Sequence, residues 1–169
     1  DHCQRYQGIT RARTENVRLA IEATRGMVLM NNGEICDARF SKSCGGVSEV
    51  FENCWADVHY PYLERVVDTK DADSVATTSD LTVEANAEAW IRGEYDSFCN
   101  THDKEILSQV LNNYDQETTD FYRWKVEYTT EQLSDLVARR SGIDFGTILV
   151  LEPVERGVSG RLTRLRIVG

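Results

Sequence analysis

The sequence predicts an α+β fold, in which helices and antiparallel strands are intermixed in a single domain. Segments with apolar residues at helical spacing stand between short segments in which apolar and polar residues alternate. An Asn-Gly pair separates two of the alternating segments, as in a tight hairpin. The chain has 169 residues, which is enough to bury a core as one domain over 1–169.

The N-terminal part predicts a helix followed by a hairpin. Thr14 is a residue type that caps helices, and Gly26 is suited to end one. The apolar face of this helix consists of Val17, Ala20, Ile21 and Thr24. Strands at 27–30 and 34–40 then flank the turn Asn31-Asn32-Gly33. We expect the hairpin to pack on the helix.

The rest of the chain predicts further helices and strands. The first are a strand at 64–68, an exposed polar loop at 69–80 and a helix at 83–91. A second helix follows 101–103, with Ile106, Val110, Leu111 and Tyr114 on one face. The last are a strand at 121–128, a helix at 130–142 and strands at 147–154 and 161–168. Between the last two strands lies a glycine-rich turn flanked by Arg156 and Arg161. These arginines suit a carboxylate or phosphate ligand, but a charged hairpin turn is the preferred interpretation.

The formal net charge is −9, and the lysines and arginines are scattered. Nucleic acids and anionic membrane surfaces attract basic patches, so this composition argues against both as partners. No apolar run approaches the roughly 18–20 residues of a membrane span. Because the chain opens on Asp1 without an initiator methionine, we expect it to be part of a longer protein.

Five cysteines follow neither a zinc-finger spacing nor that of a dense disulfide scaffold. If a disulfide exists, we expect it to involve Cys54, with Cys99 as the favoured partner because both lie beside bulky aromatic residues, and Cys44 as the alternative. Free thiols are the other interpretation. His2 and Cys3 could form half of a zinc site. The alternative is that they are simply two surface residues near the chain terminus.

The segment 34–63 holds the clearest candidate binding site. A turn of small residues, Ser43-Cys44-Gly45-Gly46, lets a backbone approach another molecule closely. Trp55, Tyr60 and Tyr62 follow, and such aromatic rings suit a flat, polar ligand such as a sugar. The alternative is a hairpin loop resting on an ordinary aromatic core.

Two catalytic hypotheses can be written from the residues alone. Cys44 could be a nucleophile with His59 as its base, although a small packed cysteine or half of a disulfide explains Cys44 as well. Glu49 and Glu52 could supply a general acid of the glycosidase type. The alternative is that both belong to an ordinary solvent-exposed face.

Several motifs in fixed order indicate a family. They are His2-Cys3-Gln4-x-Tyr6-x-Gly8, Thr24-Arg25-Gly26 before Val28-Leu29, Ser43-Cys44-Gly45-Gly46, Trp55, Pro61-Tyr62-Leu63 and Arg156-Gly157-x-Ser159-Gly160-Arg161. Over essentially all its residues the chain resembles the catalytic domain of the stage II sporulation protein D family, whose other branch is the amidase enhancers. The combination is specific, whereas any one motif alone is weak.

The resemblance implies a peptidoglycan lytic transglycosylase of cell-wall remodelling and sporulation. Such an enzyme cleaves the β-1,4 bond after N-acetylmuramic acid in peptide-free glycan strands and leaves 1,6-anhydro ends. The alternative function is a non-catalytic cell-wall binding module that enhances an N-acetylmuramoyl-L-alanine amidase. Peptidoglycan strands, and an amidase or other cell-wall proteins, are the implied partners, and the implied location is extracytoplasmic.

The resemblance also implies roles for individual residues. Gln4, Tyr6, Ser43, Cys44, Gly45, Gly46 and Tyr62 are expected to line the glycan groove. The family's catalytic glutamate belongs to a helix upstream of the Cys3-Gln4 motif, and a closing segment also lies outside this sequence, so we expect no catalytic residue here and an inactive chain by itself. Zinc can occur in the intact domain, where His2 and Cys3 match half of a ligand set. No cofactor is expected in this chain.

Overall fold

A computed structural model describes residues 14–71, 73–110 and 121–169, apart from the side chains of 109 and 110. The chain divides into two compact units, 1–42 and 43–169, which are described separately. Helices occur together with small antiparallel sheets, so the predicted α+β class is confirmed.

The described part of the first unit contains the predicted helix and hairpin. Helix α1 spans Glu15–Ala23, and the hydroxyl of its N-cap Thr14 accepts a hydrogen bond from the Val17 N–H at 3.4 Å. Strands β1, Met30–Asn31, and β2, Glu34–Ile35, pair antiparallel and are shorter than predicted. The turn residues Asn32 and Gly33 both have positive φ, 49° and 84°, as this tight turn requires.

The hairpin was expected to pack on α1, but the structure leaves the apolar faces of both elements exposed. No residue of α1 is buried, and Met30 and Ile35 of the hairpin are exposed. A helix of nine residues and strands of two residues each offer too little apolar area to close a core between them.

The second unit contains the buried core. Its elements are α2, Phe51–Cys54; α3, Val75–Thr78; α4, Glu84–Arg92; α5, Lys104–Val110; α6, Thr130–Ser141; β3, Val150–Arg156; and β4, Leu162–Val168. The core cluster consists of Val47, Ala76, Leu81 and Trp90, with Val67 and Tyr95 packed against it. The rings of Trp90 and Tyr95 stack with centroids 4.4 Å apart. This core therefore joins residues from separate helices and loops.

Local sequence signals account for the C-terminal elements. Thr129 and Gln132 form a reciprocal capping box at the start of α6, and Gly142 ends the helix in the left-handed conformation. Strands β3 and β4 pair antiparallel from Val150–Val168 to Arg156–Leu162, with irregular register after Pro153. The predicted helix and terminal hairpin are confirmed.

Three other predictions are corrected. The segment 121–128 is not a strand; it begins with a turn in which Tyr122 is buried and the Arg123 side chain donates to the distant carbonyls of Gly45 and Trp90. The segment 64–68 forms only an isolated bridge, between Val67 and Val47. The loop 69–80 contains α3, and Ala76 of this helix is fully buried in the core.

The helix predicted after 101–103 begins as α5, and its expected apolar residues Leu111 and Tyr114 lie outside the described residues. Among the described helices, none combines the length and the apolarity that crossing a bilayer would need.

Candidate functional site

The small-residue turn of the second unit lies against the core. Gly45 and Gly46 have φ of +63° and +96°, which strongly favour glycine. A Cβ on Gly46 would lie 2.8 Å from Cζ2 of Trp90 and 2.9 Å from Oγ of Ser97. Gly46 is therefore glycine because the backbone passes a buried tryptophan, which is a packing requirement that the sequence did not reveal.

Two arginines bind the backbone of this turn. Arg123 donates to the carbonyl oxygens of Gly45 at 2.9 Å and of Trp90 at 3.0 Å, and its guanidinium lies 3.9 Å from the ring centroid of Tyr122. Arg161 donates to the carbonyl of Cys44 at 2.6 Å and to that of Val47 at 2.9 Å. Both contacts fix the turn. The sequence analysis missed Arg123, and its position among aromatic residues was the only available signal.

Arg156, the other arginine that flanks the turn of the C-terminal hairpin, also forms hydrogen bonds within the protein. Arg156 binds both carboxylate oxygens of Glu84, at 2.5 and 2.8 Å, and donates to the Gly160 carbonyl at 2.7 Å. With Arg161 bound to Cys44 and Val47, the arginines at both ends of the turn have acceptors within the protein. This agrees with the interpretation as a charged hairpin turn.

Glu49 connects α2 to the same hairpin turn. Its Oε2 accepts from the N–H and hydroxyl of Ser159, at 3.1 and 2.5 Å. Its Oε1 accepts from the Asn53 amide and the Val50 N–H, each at 3.0 Å. A Cβ on Gly157 would lie 2.3 Å from Oε2, so only glycine leaves room for this carboxylate. Glu49 is therefore a structural link between sequence-distant segments.

The electrostatics of Glu49 and Glu52 oppose a role as general acid. Burial alone would raise the pKa of Glu49, but the hydrogen bonds from Ser159, Asn53 and Val50 outweigh it and hold that pKa below the ordinary value. The pKa of Glu52 is also lowered, first by a backbone hydrogen bond of its own residue and then by its bond with His59. A general acid needs the opposite shift.

The structure brings Cys44 together with Cys99 and Asp68. The two sulfur atoms are 3.7 Å apart, and Oδ2 of Asp68 accepts from the Cys99 N–H at 2.9 Å. One ligand atom from each of the three side chains lies within 4.8 Å of the others. Burial, followed by the nearby Cys99 and Asp68, raises the pKa of Cys44 to about 12, against the lowering effect of a backbone bond from Gly46.

These contacts correct the expected disulfide. Cys54 is exposed, and the cysteines brought together are Cys44 and Cys99. All cysteines within the described residues are free thiols. The aromatic neighbours of Cys54 were a poor guide, because Trp55 is itself exposed and shelters no bridge.

The contacts of His59 do not support the hypothesis of a Cys44–His59 nucleophile pair. Nδ1 of His59 lies 3.2 Å from Glu52 Oε1, and Nε2 lies 3.8 Å from Glu64 Oε1. Both ring nitrogens therefore face carboxylates. The raised pKa of Cys44 also disfavours the thiolate that a nucleophile needs.

The aromatic residues of the predicted sugar site form a second group. The ring of Tyr62 lies 5.4 Å from that of Tyr60, which contacts the buried Phe51 edge-on at 4.8 Å. Trp55, at the end of α2, is 60% exposed. A groove shared by this group and the Ser43–Gly46 turn stays a prediction. Gln4, Tyr6, His2 and Cys3 lie outside the described residues.

Comparison with known proteins gives two matches. The model of a domain of unknown function, DUF8618, matches residues 49–169. An amidase enhancer of Bacillus subtilis (strain 168) is 41% identical over 56 residues, which are 33% of this chain and 8% of that protein. The chain thus spans a small part of the relative's length. No solved structure matches.

Proposed function

Since the chain belongs to the DUF8618 family of domains of unknown function, and part of it is similar to an amidase enhancer, we propose that it is a cell-wall binding module that enhances an N-acetylmuramoyl-L-alanine amidase. The similarity to the amidase enhancer is the observation that carries the proposal. The motifs that resemble the stage II sporulation protein D family fit this proposal through that family's other branch, the amidase enhancers. The proposed ligand is a peptidoglycan glycan strand, and the proposed location is the cell envelope.

The aromatic group of the second unit supplies a suitable binding surface. Trp55 presents most of its side chain to solvent, and Tyr60 and Tyr62 are partly exposed beside the buried Phe51. An aromatic ring combines a large apolar face with, in tryptophan and tyrosine, one polar group. Such faces can cover the apolar side of a sugar ring, while the polar groups bond its hydroxyls. The Phe51–Tyr60 contact holds this surface in place.

Lytic transglycosylase activity is the second candidate, and the family resemblance is what favours it. The acids Glu49 and Glu52 do not support it, because hydrogen bonds hold the pKa of each below the ordinary value. We therefore expect an acid for this reaction to come from a different residue. The two functions make different products: an enhancer increases the stem peptides released by the amidase, whereas a transglycosylase generates 1,6-anhydro ends.

The proposal is tested with purified sacculi and a matched pair of tryptophan variants. The chain should sediment with sacculi and increase amidase-catalysed peptide release. Trp55→Ala should weaken binding by about tenfold, the size of an ordinary interface anchor. Trp124→Ala is the control, because Trp124 is 75% exposed but belongs to a different segment.

Failure of the chain to bind sacculi and to increase peptide release would overturn the proposal. If Trp55→Ala and Trp124→Ala weaken binding to sacculi equally, the aromatic group around Trp55 is not the binding surface. Production of 1,6-anhydro ends without amidase would instead establish the transglycosylase.

A further inference from the structure

We propose that Cys44, Cys99 and Asp68 bind a zinc ion. The sulfur atoms of the two cysteines are 3.7 Å apart. Tetrahedral zinc with bonds of about 2.3 Å to sulfur places two thiolates about 3.8 Å apart. The observed separation thus matches one edge of a zinc tetrahedron. None of these three ligands belongs to the His2-Cys3 pair of the sequence analysis, and the proposal does not depend on the proposed cell-wall function.

Asp68 supplies the third ligand. Its side chain lies with both sulfur atoms inside the 4.8 Å cluster. The Cys99 N–H donates to its Oδ2 at 2.9 Å and thereby orients the carboxylate. Hydrogen bonds that orient a ligand in this way are typical of metal sites. Three protein ligands leave one position of a tetrahedral ion for water or another small ligand.

Backbone hydrogen bonds hold the three ligands near one another. The Asp68 N–H donates to the Gly46 carbonyl at 2.9 Å, and the Phe98 N–H donates to the Asp68 carbonyl at 3.1 Å. These bonds join the Cys44 turn, the Asp68 segment and the Cys99 segment. The ligands therefore converge through the fold of the unit, although they come from three separate parts of the sequence.

The charge of the site favours a thiophilic divalent cation. Zinc is bound by the thiolate form of cysteine, so each thiol gives its proton to solvent on binding, and two Zn–S bonds form for two protons released. Sulfur ligands select zinc over magnesium or calcium.

The experiment titrates the reduced full chain with Co²⁺ and then with Zn²⁺, in a Cys3→Ser background that removes the N-terminal cysteine. One equivalent of Co²⁺ should give the absorption band of thiolate-to-cobalt charge transfer, and Zn²⁺ should displace it. Each zinc bound should release two protons near neutral pH. Asp68→Asn should weaken zinc binding at least about tenfold, since a carboxylate ligand is lost.

Cysteine variants provide the matched comparison. Cys44→Ser and Cys99→Ser should each abolish the charge-transfer band, whereas Cys54→Ser, which changes an exposed thiol, should leave it unchanged. Should a cysteine variant fail to fold, Asp68→Asn, which keeps both thiols, decides the test. The proposal is overturned if the reduced chain binds no zinc, if Asp68→Asn binds it as tightly as the parent, or if Cys44 and Cys99 form a disulfide and show no affinity for zinc after reduction.

Discussion

Replacing Glu49 by alanine should destabilise the second unit more than any ordinary surface substitution. The carboxylate accepts four hydrogen bonds, two of them from Ser159. Ser159 is only 3% exposed, so its N–H and hydroxyl would lose their acceptor in a place that water reaches poorly. The donors on Val50 and Asn53 are less sheltered and can bond to water instead.

The size of the effect follows from the two buried donors. Each buried donor left without a partner costs about 1–3 kcal/mol, which gives about 2–6 kcal/mol for the pair. Glu49 is itself only half-buried, so some water can fill the space that its side chain leaves. We therefore expect Glu49→Ala to lower the free energy of unfolding by about 2–4 kcal/mol.

Urea unfolding measures this loss, with the fluorescence of the buried Trp90 as a reporter. Glu64→Gln is the control, because the Glu64 side chain is 61% exposed and lies 3.8 Å from its nearest ionic partner, so its effect should stay within about 0.5 kcal/mol. If Glu49→Ala costs no more than Glu64→Gln, the link between Glu49 and the hairpin turn contributes nothing, and the reasoning is refuted.

Two further predictions use the same unfolding assay. Gly46→Ala should lower the free energy of unfolding by about 2–4 kcal/mol, because the new methyl group overpacks against Trp90 and the backbone is left-handed. Gly142→Ala is the control, since Gly142 has φ +73° but open space around it, and it should lower the free energy of unfolding by only about 1–2 kcal/mol. Equal losses in the two variants would exclude the steric contribution at Gly46. The pKa of Glu49 is lowered on folding, so its stabilisation is complete above the ordinary value of 4.5 and is lost as the pH falls through the folded pKa. Glu49→Gln should therefore show a smaller decline in stability from pH 5 to about pH 3 than the parent, and parallel curves would contradict this.

The elements that the sequence predicts well are those set by neighbouring residues. The Asn32-Gly33 turn needs two residues with positive φ, and asparagine and glycine supply them. Helix α6 begins at a capping box and ends at Gly142, both readable from residues within one turn of the helix. In each case the determining contacts are separated by a few positions.

The features that escaped prediction depend on residues far apart in the chain. The alternation at 121–128 resembles a strand, yet Arg123 is fixed by the carbonyls of Gly45 and Trp90. Likewise, the pairing of Cys44 with Cys99 follows from the convergence of two loops and not from any property of their neighbours. Sequence spacing carries no information on such contacts, so a disulfide at Cys54 was expected instead.

The arginine and glutamate contacts of the C-terminal hairpin determine when the second unit can become stable during synthesis. Arg161 bonds to Cys44 across 117 positions, and Ser159 bonds to Glu49 across 110. Arg65 likewise donates to the Val158 carbonyl across 93 positions. A ribosome releases the chain from its N-terminus, so these partners at positions 158–161 emerge long after Cys44, Glu49 and Arg65. The closure of such long loops is also slow relative to local pairing. The segment around residues 44–65 must therefore remain without its final contacts until almost the whole unit has been translated.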